Sequence, residues 1–94
     1  MSATVRVELH GVRHEEEPYQ TLHRAMEQQG FSRRVIAAGG ARYWLPPAEY
    51  RYEGSLTLNQ VRELAKTAAS QTGRTYTIFA TAGDWVGHML KPAP

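Results

Sequence analysis

Phe31-Ser32-Arg33-Arg34-Val35-Ile36-Ala37-Ala38-Gly39-Gly40-Ala41-Arg42-Tyr43-Trp44-Leu45 decides the fold of this chain. A β-rich run enters Gly39-Gly40 and another leaves it. Paired glycines supply the positive φ angles that a tight hairpin needs, so the segment predicts two antiparallel strands. Pro46-Pro47 interrupts the return strand. Beyond it Glu49-Tyr50-Arg51-Tyr52-Glu53 alternates again up to Gly54. Proline donates no ladder hydrogen bond, so the pair sits at a bulge or one of its flanks lies outside the sheet.

Outward from the hairpin lies one helix on each side. On the N-terminal side, Glu15-Glu16-Glu17-Pro18 marks a helix start, because acids complement the helix dipole and proline suits the first turn. Tyr19, Leu22, Ala25 and Met26 form its apolar stripe, and Gly30 with Phe31 closes it. On the C-terminal side, Thr57-Leu58-Asn59-Gln60 has capping-box form. Val61, Leu64, Ala65 and Ala68 then recur at helical spacing up to Gly73. Outside both helices lie two more strands. Thr4–His10 places Val5, Val7 and Leu9 on one face, with Arg6, Glu8 and His10 on the other. Arg74–Thr81 places Tyr76, Ile78 and Ala80 opposite Thr75, Thr77, Phe79 and Thr81. The order strand–helix–strand–strand–helix–strand predicts an α+β chain, a ferredoxin-like βαββαβ plait. Its four-stranded antiparallel sheet carries two helices on one face and is open on the other. A single domain covers residues 1–94. Residues 82–94 form an apolar tail with Trp85, Val86, Met89 and Leu90 that is expected to pack on the domain or on a partner.

Composition bounds the function. Ninety-four residues, 41% hydrophobic and 21% charged, are those of a one-domain globular protein. No apolar run reaches a membrane span, so no membrane contact is expected. The absence of a secretory leader and of cysteine points to the cytoplasm. Of the 11 basic residues all but Lys66 and Lys91 are arginine, within a net charge of +2. Arginine grips phosphate through a planar fork and stacks on rings; a GC-rich coding sequence is the plain alternative.

Four histidines lack the spacing and context of a metal site, so neither a metal nor a cofactor is expected and surface placement accounts for them. Gly39-Gly40 lacks the lysine and following helix of a phosphate loop. Tyr43, Trp44, Tyr50 and Tyr52 interleave with Arg42 and Arg51. That pattern fits stacking of single-stranded RNA on an open sheet, and equally fits cross-strand packing.

Gly30-Phe31-Ser32-Arg33, Leu45-Pro46-x-Ala48-Glu49-Tyr50, Glu53-Gly54-x-Leu56-Thr57 and the Val61/Ala65 helix together resemble a bacterial family. It is the group of small proteins around the antitoxins of type V toxin–antitoxin systems, which are endoribonucleases. The resemblance runs from about Thr4 to Phe79. It implies a ferredoxin-like fold, similar to the small CRISPR-associated nucleases of the second type, and cleavage of a toxin messenger RNA. In those nucleases the first strand ends in a metal-serving aspartate, where this chain has Leu9-His10-Gly11. Cleavage would then be metal-independent, with the RNA 2′-hydroxyl as nucleophile. His10 and Arg6 are the catalytic candidates. Arg33, Arg34, Arg42, Arg51 and Tyr43 are the RNA-binding candidates. A homodimer through a sheet edge or the tail is also expected. The alternative is a non-catalytic interaction module built on the same edge and tail.

Overall fold

In the computed structural model of residues 1–94, β1 (Ser2–Leu9) buries every second residue. Ala3, Val5, Val7 and Leu9 face inward, which commits the strand to the centre of a sheet with one covered side. It pairs antiparallel with β4 (Glu49–Glu53) on one edge and β5 (Tyr76–Ala82) on the other, giving the order β4-β1-β5. Val5 lies opposite Tyr50 and Ala3 opposite Tyr52, so the buried tyrosines of β4 join the same face.

That face is covered by α1 (Glu17–Gln28) and α2 (Leu58–Ser70), whose buried stripes complete one core. Tyr19, Leu22, Ala25 and Met26 come from α1; Val61, Ala65, Ala68 and Ala69 come from α2. Each fully buried Val, Leu or Met contributes about 1.5–3 kcal/mol, so the stripes dominate the energetics. Both helices start and stop where the sequence signals lie. Pro18 stands in the first turn of α1, and Gly30 (φ 91°) ends it while the Phe31 amide donates to the Met26 carbonyl at 3.0 Å. At α2 the Thr57 hydroxyl accepts from the Gln60 amide at 3.2 Å. The Gln60 side chain accepts from the Thr57 amide at 2.9 Å.

The architecture is α+β with two helices and antiparallel sheets, but the expected four-stranded sheet does not form. The main sheet has three strands, and β2 (Arg34–Ile36) pairs with β3 (Arg42–Trp44) in a separate hairpin. Gly39 (φ 92°) and Gly40 (φ 94°) make its turn. A single rung joins the two sheets: Ser32 and Arg51 exchange amide–carbonyl hydrogen bonds of 2.8 and 2.7 Å. After that rung the chain diverges, for two reasons. Pro46-Pro47 and Ala48, buried with φ 69°, turn the chain sharply between β3 and β4, so β3 cannot run on into the main sheet. The outer edge of β3 is taken by the tail instead. The Trp44 amide donates to the Lys91 carbonyl at 2.8 Å and the Ala93 amide to the Arg42 carbonyl at 2.9 Å. Of the two readings of Pro46-Pro47, the N-terminal flank is therefore the one outside the main sheet.

No helix is long and apolar enough to cross a membrane.

Candidate nucleic-acid interface

The uncovered face of the sheet carries the alternate residues of β1. Register places Thr4 beside Arg51 and Thr81, Arg6 beside Glu49 and Phe79, and Glu8 beside Thr77. Arg6 is already committed there. Its Nη2 donates to Glu8 at 2.6 Å and its Nη1 to Glu49 at 3.1 Å. His10 lies just past the strand, where Thr75 Oγ1 is 3.0 Å from Nδ1 and Thr77 Oγ1 is 2.8 Å from Nε2. Four steps along extended strand put the Cα atoms of Arg6 and His10 about 13 Å apart at ~3.3 Å per residue. The structure thus puts the two catalytic candidates on one face, each with its own partners: Arg6 with Glu8 and Glu49, His10 with Thr75 and Thr77.

The hub of that face is Glu8, which the sequence reading did not single out. Its second oxygen receives the Tyr19 hydroxyl at 3.1 Å and faces His14 Nε2 at 3.3 Å. Partial burial pushes the Glu8 carboxyl up. The hydrogen bonds from His14 and Tyr19, with the charges of Arg6 and His14, outweigh it, and the net shift is downward. Tyr19 in turn is raised, by burial and by the neighbouring Glu8 carboxylate, while its oxygen also accepts the Leu9 amide at 2.9 Å. The signal for this hub was the Arg6/Glu8 pair on one strand face, with Tyr19 at the start of the following helix.

His23 overturns the surface-histidine reading. It is 8% exposed on the apolar side of α1, and its Nδ1 lies 2.7 Å from the Tyr50 hydroxyl.

The remaining arginines gather at the hairpin. The guanidinium carbons of Arg33 and Arg34 stand 5.3 and 5.6 Å from the Trp44 ring centroid. Each contact of this kind contributes about 0.5–1 kcal/mol at an exposed site. Arg34 also donates to the main-chain oxygen of Pro94 at 3.0 Å. Arg42, exposed, lies opposite Ile36 across the β2–β3 ladder. Tyr43 lines the cleft between hairpin and tail. Arg51 is buried on the open face of β4, donating to Thr4 Oγ1 at 2.9 Å and to the Gly83 carbonyl at 2.8 Å. None of Arg33, Arg34, Arg42 and Arg51 forms an ion pair with an Asp or Glu side chain. The five RNA-binding candidates therefore cluster around the hairpin and tail, away from His10.

No family model matches the chain, and neither the curated proteins nor the solved structures contain a match.

Proposed function

We propose that this protein binds single-stranded RNA through the β2–β3 hairpin and is a ferredoxin-like relative of the type V antitoxins. The observation that carries this reading is the pair of guanidinium groups on Trp44, with Arg42 and Arg51 close by and no Asp or Glu side chain paired with any of the four. Uncompensated arginines around an aromatic platform supply what a single strand needs: cations for the phosphates and π-faces for the bases. The Ser32–Arg51 rung supports the ferredoxin-like reading, since it sets the second strand of the plait against β4 in the expected place.

Binding without cleavage is the version favoured. Metal-independent cleavage by His10 and Arg6 asks His10 to leave Thr75 and Thr77. It also asks Arg6 to leave two carboxylates.

The β5 edge favours a second reading. β5 has no strand on its outer side, and Phe79 on it is 67% exposed. A homodimer through that edge would give β5 its missing neighbour. Light scattering over a hundredfold concentration range decides it, and a constant monomeric mass removes the dimer.

The RNA reading is tested by fluorescence anisotropy with a labelled mixed-sequence single strand between 50 and 200 mM salt. Log K should fall against log salt with a slope of about −2 to −3, from about 0.7 per phosphate contacted. Trp44→Ala and the Arg33→Ala/Arg34→Ala pair should each weaken binding at least tenfold. A flat salt response overturns the reading. The same RNA incubated in EDTA should stay intact with wild type and with His10→Ala. Cleavage by wild type that vanishes in His10→Ala restores the enzyme.

A further inference from the structure

Arg51 is the one buried cation of this protein, and it is left incomplete. It is 6% exposed, forms no ion pair, and its Nε has no hydrogen-bond partner. A guanidinium offers five donors. Here one goes to Thr4 and one to Gly83, both neutral oxygens. A buried charge without a counter-ion is costly, and an anion brought alongside removes that cost.

The surroundings of Arg51 fit such an anion. Its side chain forms the wall shared by two adjoining clefts. One is about 410 Å³, between β2, β3 and β4; the other is about 870 Å³, under the tail. Both lie within the ~300–1,000 Å³ range of small-molecule sites. The smaller cleft gathers Arg34, Arg42 and Arg51 with the Ser32 hydroxyl, a set suited to the oxygens of one phosphate group. Trp85 and Glu53 line both clefts. An indole offers a face for a base, and a carboxylate accepts from sugar hydroxyls or an exocyclic amine. The combination suits a phosphorylated nucleoside better than a bare carboxylate, for which the indole has no use.

We infer that these joined clefts bind one nucleotide, its phosphate held by Arg51, Arg42 and Arg34 and its base against Trp85. The nucleotide has two sources, a free mononucleotide or one residue of an RNA strand. Only the second rests on the RNA reading proposed above.

The test is calorimetric titration of the whole protein with adenosine monophosphate, adenosine and inorganic phosphate. Adenosine monophosphate should bind at least tenfold more tightly than either of the others. Arg42→Ala and Arg51→Met should each cost it at least tenfold. Trp85→Ala should weaken the nucleotide and leave phosphate unchanged. Circular dichroism checks that Arg51→Met folds; where it does not, the exposed Arg42→Ala decides alone. No heat with the mononucleotide, or equal affinity for mononucleotide and adenosine, overturns the inference. So does an unchanged affinity in Arg42→Ala. Anisotropy with single-stranded RNA separates the two proposals. RNA binding without nucleotide binding removes this site alone, whereas nucleotide binding without RNA binding removes the RNA reading alone.

Discussion

His23 Nδ1 and the Tyr50 hydroxyl meet at 2.7 Å inside the core, joining α1 to β4 beneath the sheet. Burial is the chief reason His23 titrates at about 4 rather than 6.5, with the positive charges of Arg33 and His14 adding to it. Burial also pushes Tyr50 well above its ordinary value, so both rings are neutral in the folded state. The unfolded chain protonates His23 near 6.5 and the folded chain only near 4, so the unfolded state binds the extra proton between them. The His23 contribution is therefore constant above about pH 7. It falls as pH drops through that window, by on the order of 3 kcal/mol at the bottom. Urea melts from pH 7.5 to 4 measure this. His23→Leu should flatten the descent, and a flat wild-type profile would show His23 to be solvated.

Glu8 gives the acid limb a second, separable step. Its folded pKa lies below the usual 4.5. Its contribution is thus present above the unfolded value and is lost as pH falls through the folded one. Glu8→Gln should reduce the slope below pH 4.5 and keep the His23 descent. Melts at pH 3 to 4.5 compare the two proteins. A Glu8→Gln profile that tracks wild type throughout this range would mean the Arg6, His14 and Tyr19 contacts do not hold the carboxylate.

Gly54 is required by Tyr52, two residues before it on β4. A Cβ at Gly54 would collide with the Tyr52 hydroxyl and stand 2.7 Å from its ring carbon Cζ. The ring cannot swing aside freely: it packs 6.0 Å from Phe31, and its oxygen accepts the Leu56 amide at 3.1 Å. Gly54→Ala should cost about 1–3 kcal/mol, the range for overpacking a filled site. Adding it to Tyr52→Phe should cost less than adding it to wild type, because the clashing oxygen is gone. Denaturant melts of the two singles and the double give the coupling, and strict additivity would refute the clash.

The ends of the helices were legible because they are local. Thr57 with Gln60, and Gly30 with Phe31, need only their own neighbours to cap a turn. The central strand was legible because Val5, Val7 and Leu9 alternate with polar residues. The sheet's split was not, because it depends on a competition between distant segments. Lys91 and Ala93 take the edge of β3, and Pro46-Pro47-Ala48 turns the chain before β4, leaving Ser32 one partner in Arg51. Arg51 illustrates the same limit at the site. Alternation places it on an open face, and only the tail, through the Gly83 carbonyl, buries it. His23 was within reach. It stands four residues after Tyr19, on the stripe that already held Leu22 and Met26.

The tail strand should be separable from the core. Its hold on β3 rests on two backbone hydrogen bonds, Trp44 to Lys91 and Ala93 to Arg42. Ala93→Pro deletes the second donor, and with Pro92 and Pro94 it fixes the segment as a run of prolines. The lost bond costs about 0.5–1.5 kcal/mol locally. The main sheet shares no ladder with residues 91–93, so its stability should hardly change. Amide hydrogen exchange reads the two regions side by side. Protection of the Trp44 amide should fall several-fold in Ala93→Pro, while that of the Val7 amide, bonded to the Ala48 carbonyl at 2.8 Å, should stay as it is. Because Asp84, Trp85, Val86, Gly87, Met89 and Leu90 line the larger cleft, the same variant should loosen nucleotide binding in step with the lost Trp44 protection. Equal loss of protection at Trp44 and Val7 would mean that tail and core open as one unit, and the tail would then be a part of the fold rather than a cover over the cleft.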